Sequence, residues 1–284
     1  MATFQNQATL SYNGNVTNSN VISGELLDVI SATKTAVVNS YTACDNITYI
    51  ISIVNSGTTA YTGLTITDDL GSYVVGTLTL VPLTYVAGSI HLYLNGIAQA
   101  APTVTAGPPL VISGITVPAN SNVTIIYEAT ANQYAPLTTG ATILNTATID
   151  GGGLSSPIEV DNTATVDNTA ILSITKSLCP TTVSENGQIT YTFTIQNAGN
   201  VAAVAGDNVV LTDTFDPILD PISVTFNGTA WVDPTNYSYD NTTGVFATVA
   251  GQIIVPAATF TQDPATGTWV VTPGVATLIV TGTV

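Results

Sequence analysis

Residues 31–57 read SATKTAVVNSYTACDNITYIISIVNSG, and residues 173–199 read SITKSLCPTTVSENGQITYTFTIQNAG. The two stretches align without a gap at an offset of 142 residues, Lys34 on Lys176, Tyr49 on Tyr191, Asn55 on Asn197 and Gly57 on Gly199. Inside each copy an apolar run alternates with period two, the pattern of a strand with one face in a core. The likeness spreads outward from there. GLTITDDL (63–70) meets NVVLTDTF (208–215) after a three-residue insertion, setting Asp68 on Asp213. LNG (94–96) meets FNG (226–228), ITVPA (115–119) meets IIVPA (253–257), and VTIIYEATA (123–131) meets ATLIVTGTV (276–284). Self-similarity at one fixed period marks a repeated structural unit.

The composition suits strands. The chain of 284 residues is 45% apolar, long enough for about two domains, and its short β-branched runs are separated by Gly, Asn and Pro. These features predict an all-β protein of two tandem sandwiches. With 2 Lys+Arg against 18 Asp+Glu, a net charge of −16, the surface offers no cationic footprint for nucleic acid or an anionic membrane. It also offers trypsin-like proteases almost nothing to cut. No run of 18 apolar residues is present, so no membrane insertion is expected, and the N-terminus has neither the basic nor the apolar region of a signal peptide.

Repeat 1 continues past residue 131 through GATILNTATIDGG (140–152) and IEVDNTATVDN (158–168), two strands with no counterpart in repeat 2. Their other copy stands at the front of the chain. MATFQNQATL (1–10) repeats Ala141, Thr142, Asn145, Ala147 and Thr148 as Ala2, Thr3, Asn6, Ala8 and Thr9, and VTNSNVISGEL (16–26) follows it. The length 284 is twice 142, so the chain reads as two repeats in a rotated frame. Residues 1–12 alternate as one strand, with Ala2, Phe4, Asn6, Ala8, Leu10 and Tyr12 on the core face. The expected organisation is N-terminal donor strands (1–27), a complete sandwich (28–166) and a second sandwich lacking its terminal strands (167–284).

A sandwich without its last strands exposes sheet edges and an apolar groove, an aggregation liability unless filled. By the connection seen in repeat 1, residues 1–26 belong to a module preceding residue 28, which another subunit supplies. Strand addition between subunits is therefore expected. Such a contact is heterologous and propagates into an open filament unless a ring closes. A monomeric rod with a frayed leader is the bland alternative.

TKS, ITYTFTIQNAGN, VVLTDTF and NTAT resemble the surface-repeat family known as domain of unknown function eleven, over roughly 30–70 and 170–216. The resemblance implies immunoglobulin-like sandwiches in tandem on bacterial or archaeal surface proteins, with no catalytic function.

Lys34 and Lys176 are the entire basic inventory, and both fall on the apolar register of their strands: Ile30, Ala32, Lys34, Ala36 and Leu172, Ile174, Lys176, Leu178. Asp68 shares a face with Leu64 and Ile66, Asp213 with Leu211 and Phe215, and Asn145 and Asn6 also point inward. Inward polar groups are costly unless they meet. Gram-positive surface sandwiches join such a trio by a Lys–Asn isopeptide bond. A desolvated lysine is deprotonated and nucleophilic, and a neutral carboxylic acid polarises the amide. The candidate sets are Lys34, Asp68 and Asn145 within one chain, and Lys176 and Asp213 with Asn6 of the next subunit. A plain buried Lys–Asp ion pair is the alternative.

Weaker signals complete the reading. Cys44, in a turn facing the next module, and Cys179, expected near the start of the first strand of repeat 2, are candidates for a disulfide, for separate thiols or for an intermolecular bridge. His91 stands alone, and neither Asp68-Asp69 nor the stretch 236–241 makes a persuasive cation loop, so no metal and no cofactor are expected. The sequence thus describes a non-enzymatic subunit of an extracellular or spore-surface filament whose partner is itself. The second reading is an adhesin or cell-wall rod fragment whose sandwiches act as spacers or bind glycans, with Trp231, Trp269, Tyr237 and Tyr239 as the candidate aromatic platform.

Overall fold

A computed structural model describes residues 2–26 and 28–284, and apart from one short 3-10 turn at Ala205–Asp207 its regular structure is all strand. Met1 and Leu27, and the side chains of Ala2 and Leu26, lie outside the described residues.

The first sandwich forms because alternate residues of its long strands are apolar and the two sheets bury those faces against each other. One sheet runs Ile97–Ala98, His91–Leu94, Ser121–Ala131, Asn46–Asn55, Ile30–Ala36, with Leu83–Tyr85 also on Ser121–Ala131. The other runs Thr103–Thr105, Leu110–Val117, Tyr61–Asp68, Thr142–Gly151, Ile158–Val166, Ser40–Tyr41. Between them lie Tyr49, Ile51, Ile53, Ile125 and Tyr127 from the first sheet and Leu64, Ile66, Ile112, Ile143 and Ile149 from the second, all buried. A register shift between Ile112 and Ile115 is taken up at Gly114, whose φ of 81° is open to glycine.

The second core repeats this plan with fewer strands. A five-stranded sheet runs Leu172–Cys179, Gln188–Asn197, Gly274–Thr283, Ile222–Phe226, Thr229–Trp231, and faces a three-stranded sheet of Thr212–Thr214, Val245–Thr248, Tyr237–Asp240. Repeat-equivalent residues do the same work in both cores. Asn55 and Asn197 are fully buried; each side-chain amide donates to carbonyls of the neighbouring loops, and each carbonyl oxygen accepts at 2.9 Å from the backbone N–H of Gly57 or Gly199. LNG and FNG are both tight hairpin turns with positive φ at Asn95, Gly96, Asn227 and Gly228.

Two differences separate the repeats. Strand Tyr61–Asp68 is paired on both sides, by Leu110–Val117 and Thr142–Gly151, whereas its counterpart Thr212–Thr214 pairs only with Val245–Thr248 among the described residues. The second repeat also carries an extra hairpin, Thr259–Gln262 with Trp269–Thr272, where the first has a short turn at 118–121. This hairpin reaches back to the first sandwich: the Trp269 N–H donates to the Gln133 carbonyl at 3.0 Å and the Gln262 amide to the Tyr73 hydroxyl at 3.1 Å.

The N-terminal residues form a separate hairpin. Ala2–Asn6 pairs with Ile22–Leu26 and Thr9–Tyr12 with Asn15–Asn18, around a turn at Asn13 and Gly14 (φ 46° and 80°). The expected single strand over 1–12 is thus two strands. They part at Gln7 and Ala8, where the Ser19 hydroxyl accepts the Ala8 N–H and the Ser19 backbone accepts the Gln7 amide. Among the described residues no strand of either sandwich pairs with this hairpin, and Phe4, Leu10 and Tyr12 are more than half exposed.

Candidate cross-linking sites

Strand register brings the first trio together. Lys34 sits opposite Ile51, two residues along from Tyr49 on the same inward face, and Tyr49 sits opposite Tyr127. On the facing sheet Asp68 sits opposite Ala147, and Asn145 is the next inward residue of that strand. The sandwich therefore presses a lysine and two tyrosines from one sheet onto an aspartate and an asparagine from the other. The Lys34 Nζ donates to Asp68 Oδ2 at 2.8 Å, and neither side chain has any exposed surface. The Tyr127 hydroxyl also donates to Asp68 Oδ2, and the Leu70 N–H to Oδ1 at 2.9 Å. The Asn145 Nδ2 donates to the Tyr127 oxygen at 3.4 Å, while Asn145 Oδ1 and the Tyr49 hydroxyl are buried without a partner. Lys34 Nζ lies 5.1 Å from the centre of the Tyr49 ring.

This burial sets the electrostatics. Desolvation lowers the Lys34 pKa from its ordinary 10.5, against the opposing pull of the Asp68 charge and hydrogen bond. Burial likewise raises the Tyr49 and Tyr127 hydroxyls, which therefore stay protonated, Tyr127 as the donor to Asp68. The lysine shift has a pH consequence. Below 10.5 an unfolded chain holds more protons on Lys34 than the folded one, so folding stability rises with pH in a window just under 10.5. It is lost as pH falls through the folded value. The raised tyrosines act in the opposite sense as pH passes 10, so the lysine contribution is read as a difference. The denaturant midpoint of the first sandwich in an Asn145→Ala chain, which cannot cross-link, should gain with pH relative to that of a chain whose Lys34 is an amide, in which the same tyrosines titrate.

At the second site the same lysine and aspartate meet without cover. Lys176 Nζ donates to Asp213 Oδ2, but the two side chains are 40% and 18% exposed. The ammonium stands over the rings of Tyr191, Phe193 and Phe215, 4.5 to 5.5 Å from their centres. Beside it, Leu172, Ile174, Ile195, Val209 and Leu211 line an open groove of about 170 Å³, and Leu172, Ile174 and Leu178 are exposed. In the first sandwich strand Ile158–Val166 lies against Ile30–Ala36 and Lys34 is buried. Asn6 is on the exposed N-terminal hairpin, and the structure does not bring it to Lys176.

The remaining candidates fall elsewhere. Cys44 and Cys179 are exposed free thiols, and the proposed bond between them is corrected by geometry. Cys44 follows Thr42 and Ala43, which line a cavity at the joint of the sandwiches with Gly199 and Asn200. Cys179 is at the far end of its strand, opposite Thr190, while Leu172 at the near end is opposite Asn197. Seven residues of strand span about 23 Å, well beyond the reach of a disulfide. The four aromatics do not form one platform either. Tyr237 is buried against Phe246, Trp231 stacks on Phe226 in the opposite sheet, the Tyr239 hydroxyl donates to the Leu219 carbonyl, and Trp269 belongs to the hairpin against the first sandwich. His91 is exposed. In the 236–241 stretch, Asp240 accepts from the Thr242 N–H and from the hydroxyls of Thr242 and Thr243, which holds its pKa at about 2. Asp69 accepts from the N–H groups of Gly71 and Thr146, tying the Asn145 strand to the end of the Asp68 strand. Among the described residues no three His, Cys, Asp or Glu side chains are grouped to hold a metal.

Tyr49 and Tyr127 were not among the sequence candidates. The alternation of VTIIYEATA puts Tyr127 inward, a signal that marks core position and no more.

No protein-family model matches the chain, so the expected surface-repeat family is not borne out, and no curated protein sequence matches it. Among solved structures it is similar to the RrgB pilus backbone of Streptococcus pneumoniae, at 12% identity and a TM-score of 0.35 over 86% of this chain and 55% of that one. It is also similar to BcpA, the major pilin subunit of Bacillus cereus, at 11% identity and a TM-score of 0.36 over 96% of this chain and 73% of that one. A third is the collagen adhesin CNA of S. aureus, at 12% identity and a TM-score of 0.32 over 56% of this chain and 55% of that one. The chain spans about half the length of the pneumococcal subunit.

Proposed function

We propose that this chain is a non-enzymatic structural subunit of an extracellular surface filament. In this reading copies join head to tail, the N-terminal hairpin of one filling the open side of the next copy's second sandwich. One observation carries it: the molecule holds both an unpaired hairpin and a groove that match the two halves of its own first sandwich. The hairpin has Asn6 where the strand Thr142–Gly151 has Asn145, and Phe4 and Leu10 where that strand has Ile143 and Ile149. Beside the groove stand Lys176 and Asp213, uncovered, where the first sandwich has Lys34 and Asp68. Filling it extends the lone edge of Thr212–Thr214 and covers Leu172, Ile174 and Leu178. Phe4 and Leu10 would each add about 1.5–3 kcal/mol on full burial.

The same reading gives the lysines their chemistry. In the first sandwich Lys34 attacks the Asn145 side-chain carbonyl carbon, ammonia leaves, and an amide joins the two sheets. Between copies Lys176 does the same to the incoming Asn6, so that each docking event becomes permanent.

Negative-stain microscopy of the purified protein should show filaments with a two-domain repeat, which resist boiling in detergent as a ladder of covalent multimers. Lys176→Ala should abolish the ladder and leave the filaments. Dispersed short rods from the unaltered protein would refute assembly, and clean monomer from boiled filaments would refute the covalent joint alone.

A further inference from the structure

The first cross-linking site contains a group that the reaction needs and the lysine, aspartate and asparagine do not supply. When Lys34 Nζ attacks the Asn145 carbonyl carbon, the new C–N bond leaves one proton too many on Nζ, and the departing nitrogen needs one proton to leave as ammonia. Asp68 Oδ2 is hydrogen-bonded to Nζ at 2.8 Å. The hydrogen bond of Asn145 Nδ2, however, goes to the Tyr127 oxygen, and the Tyr127 hydroxyl in turn reaches Asp68 Oδ2. Nζ, Oδ2, the tyrosine oxygen and Nδ2 form one unbroken line of hydrogen-bonded atoms, buried throughout.

We propose that Tyr127 is a catalytic residue of the Lys34–Asn145 cross-link, carrying the proton from Asp68 to the leaving nitrogen. This rests on the reading above that the bond forms. Asp68, a carboxylate paired with the Lys34 ammonium, first takes one proton from Nζ, freeing the lone pair that attacks, and its new O–H donates to the tyrosine oxygen. The tyrosine passes its own proton to Nδ2, whose lone pair is freed once the carbonyl carbon is tetrahedral. The C–Nδ2 bond then breaks as the regenerated Asp68 carboxylate takes the second proton from Nζ; ammonia departs, Tyr127 is restored, and Asp68 ends as the neutral acid. No phenolate is stored, in keeping with a hydroxyl that burial holds protonated. The two repeats differ at this atom. Tyr127 lies opposite Tyr49, and at the equivalent place opposite Tyr191 stands Val280, which has no hydroxyl. The Lys176 site therefore lacks the carrier and must move its proton through Asp213 alone.

The test uses the full chain with Lys176→Ala, so that one cross-link remains. Protein recovered unfolded in denaturant is diluted into buffer, and its intact mass is followed for the loss of one ammonia. Tyr127→Phe, which keeps the ring stacked on Tyr49, should slow that loss roughly 100-fold, the lower range for a positioned proton donor. Circular dichroism establishes that the variant has folded. Difluorotyrosine placed at 127 covers the case where it has not, because it keeps ring and hydroxyl and changes only the acidity. It should shift the rate and its pH profile. An unchanged rate with either side chain in a folded protein overturns the carrier role. A parent that never loses ammonia overturns the cross-link itself, and the carrier with it.

Discussion

Deleting residues 2–26 is expected to leave a protein that forms no filaments and whose second sandwich melts well below the first. The deletion does not touch the first sandwich, which holds its own strands Thr142–Gly151 and Ile158–Val166. It removes only the segment that matches them. Supplying residues 2–26 as a separate peptide should restore the second sandwich, because a ligand that binds only the folded state stabilises it by about 2.7 kcal/mol at 100 times its Kd. The peptide should then carry a covalent bond to Lys176. Calorimetry of the deleted chain with and without peptide, beside microscopy of the intact chain, separates the outcomes. Filaments from the deleted chain would refute hairpin exchange. An intact chain that stays monomeric yet melts higher than the deleted one would mean that the hairpin closes on its own groove.

The second large effect is expected at Asp68. Asp68→Ala leaves the Lys34 ammonium fully buried with no acceptor, and breaking one partner of a buried pair costs about 3–5 kcal/mol. On the chemistry proposed above it also removes the base that accepts the lysine proton, so no cross-link is expected. Closing the segment between Lys34 and Asn145 covalently is worth about 4–5 kcal/mol on the chain-entropy account of a loop near 100 residues. The two losses together are comparable to the whole stability of a domain, about 5–15 kcal/mol. The first sandwich of Asp68→Ala should therefore be unfolded or nearly so at room temperature, as read by chemical denaturation. The double change Lys34→Met with Asp68→Leu should recover much of the loss, since an apolar pair replaces the buried charges. Equal stability of Asp68→Ala and the parent would show that the pair carries no such energy.

Much of this architecture is legible in the chain because it is local. Period-two alternation over 46–55 and 188–197 marks strands with one buried face, and that period alone places Lys34, Asp68 and Asn145 inward. A fixed offset of 142 residues carries each assignment to the second repeat, down to the buried Asn55 and Asn197 and the glycines that follow them. The break at Gln7 and Ala8 escaped because nothing in the alternation of 1–12 reports the Ser19 hydroxyl that interrupts the pairing there. The cysteines were misplaced for a related reason: a turn and a strand end can both be recognised, while the pole each occupies follows from how the strand runs.

Sequence by itself determined the strands, the repeat, the inward lysines and the shared pattern of the hairpin and the Asn145 strand, because side-chain direction along a strand depends only on residue parity. Only the tertiary structure decided which inward residues meet. Tyr127 and Asp68 lie on different sheets, and the offset of one sheet over the other comes from the packing of the whole core between them. The same packing decides that Lys34 is sealed and Lys176 is open, although both occupy the same register. Two more strands cover the first, and none covers the second among the described residues.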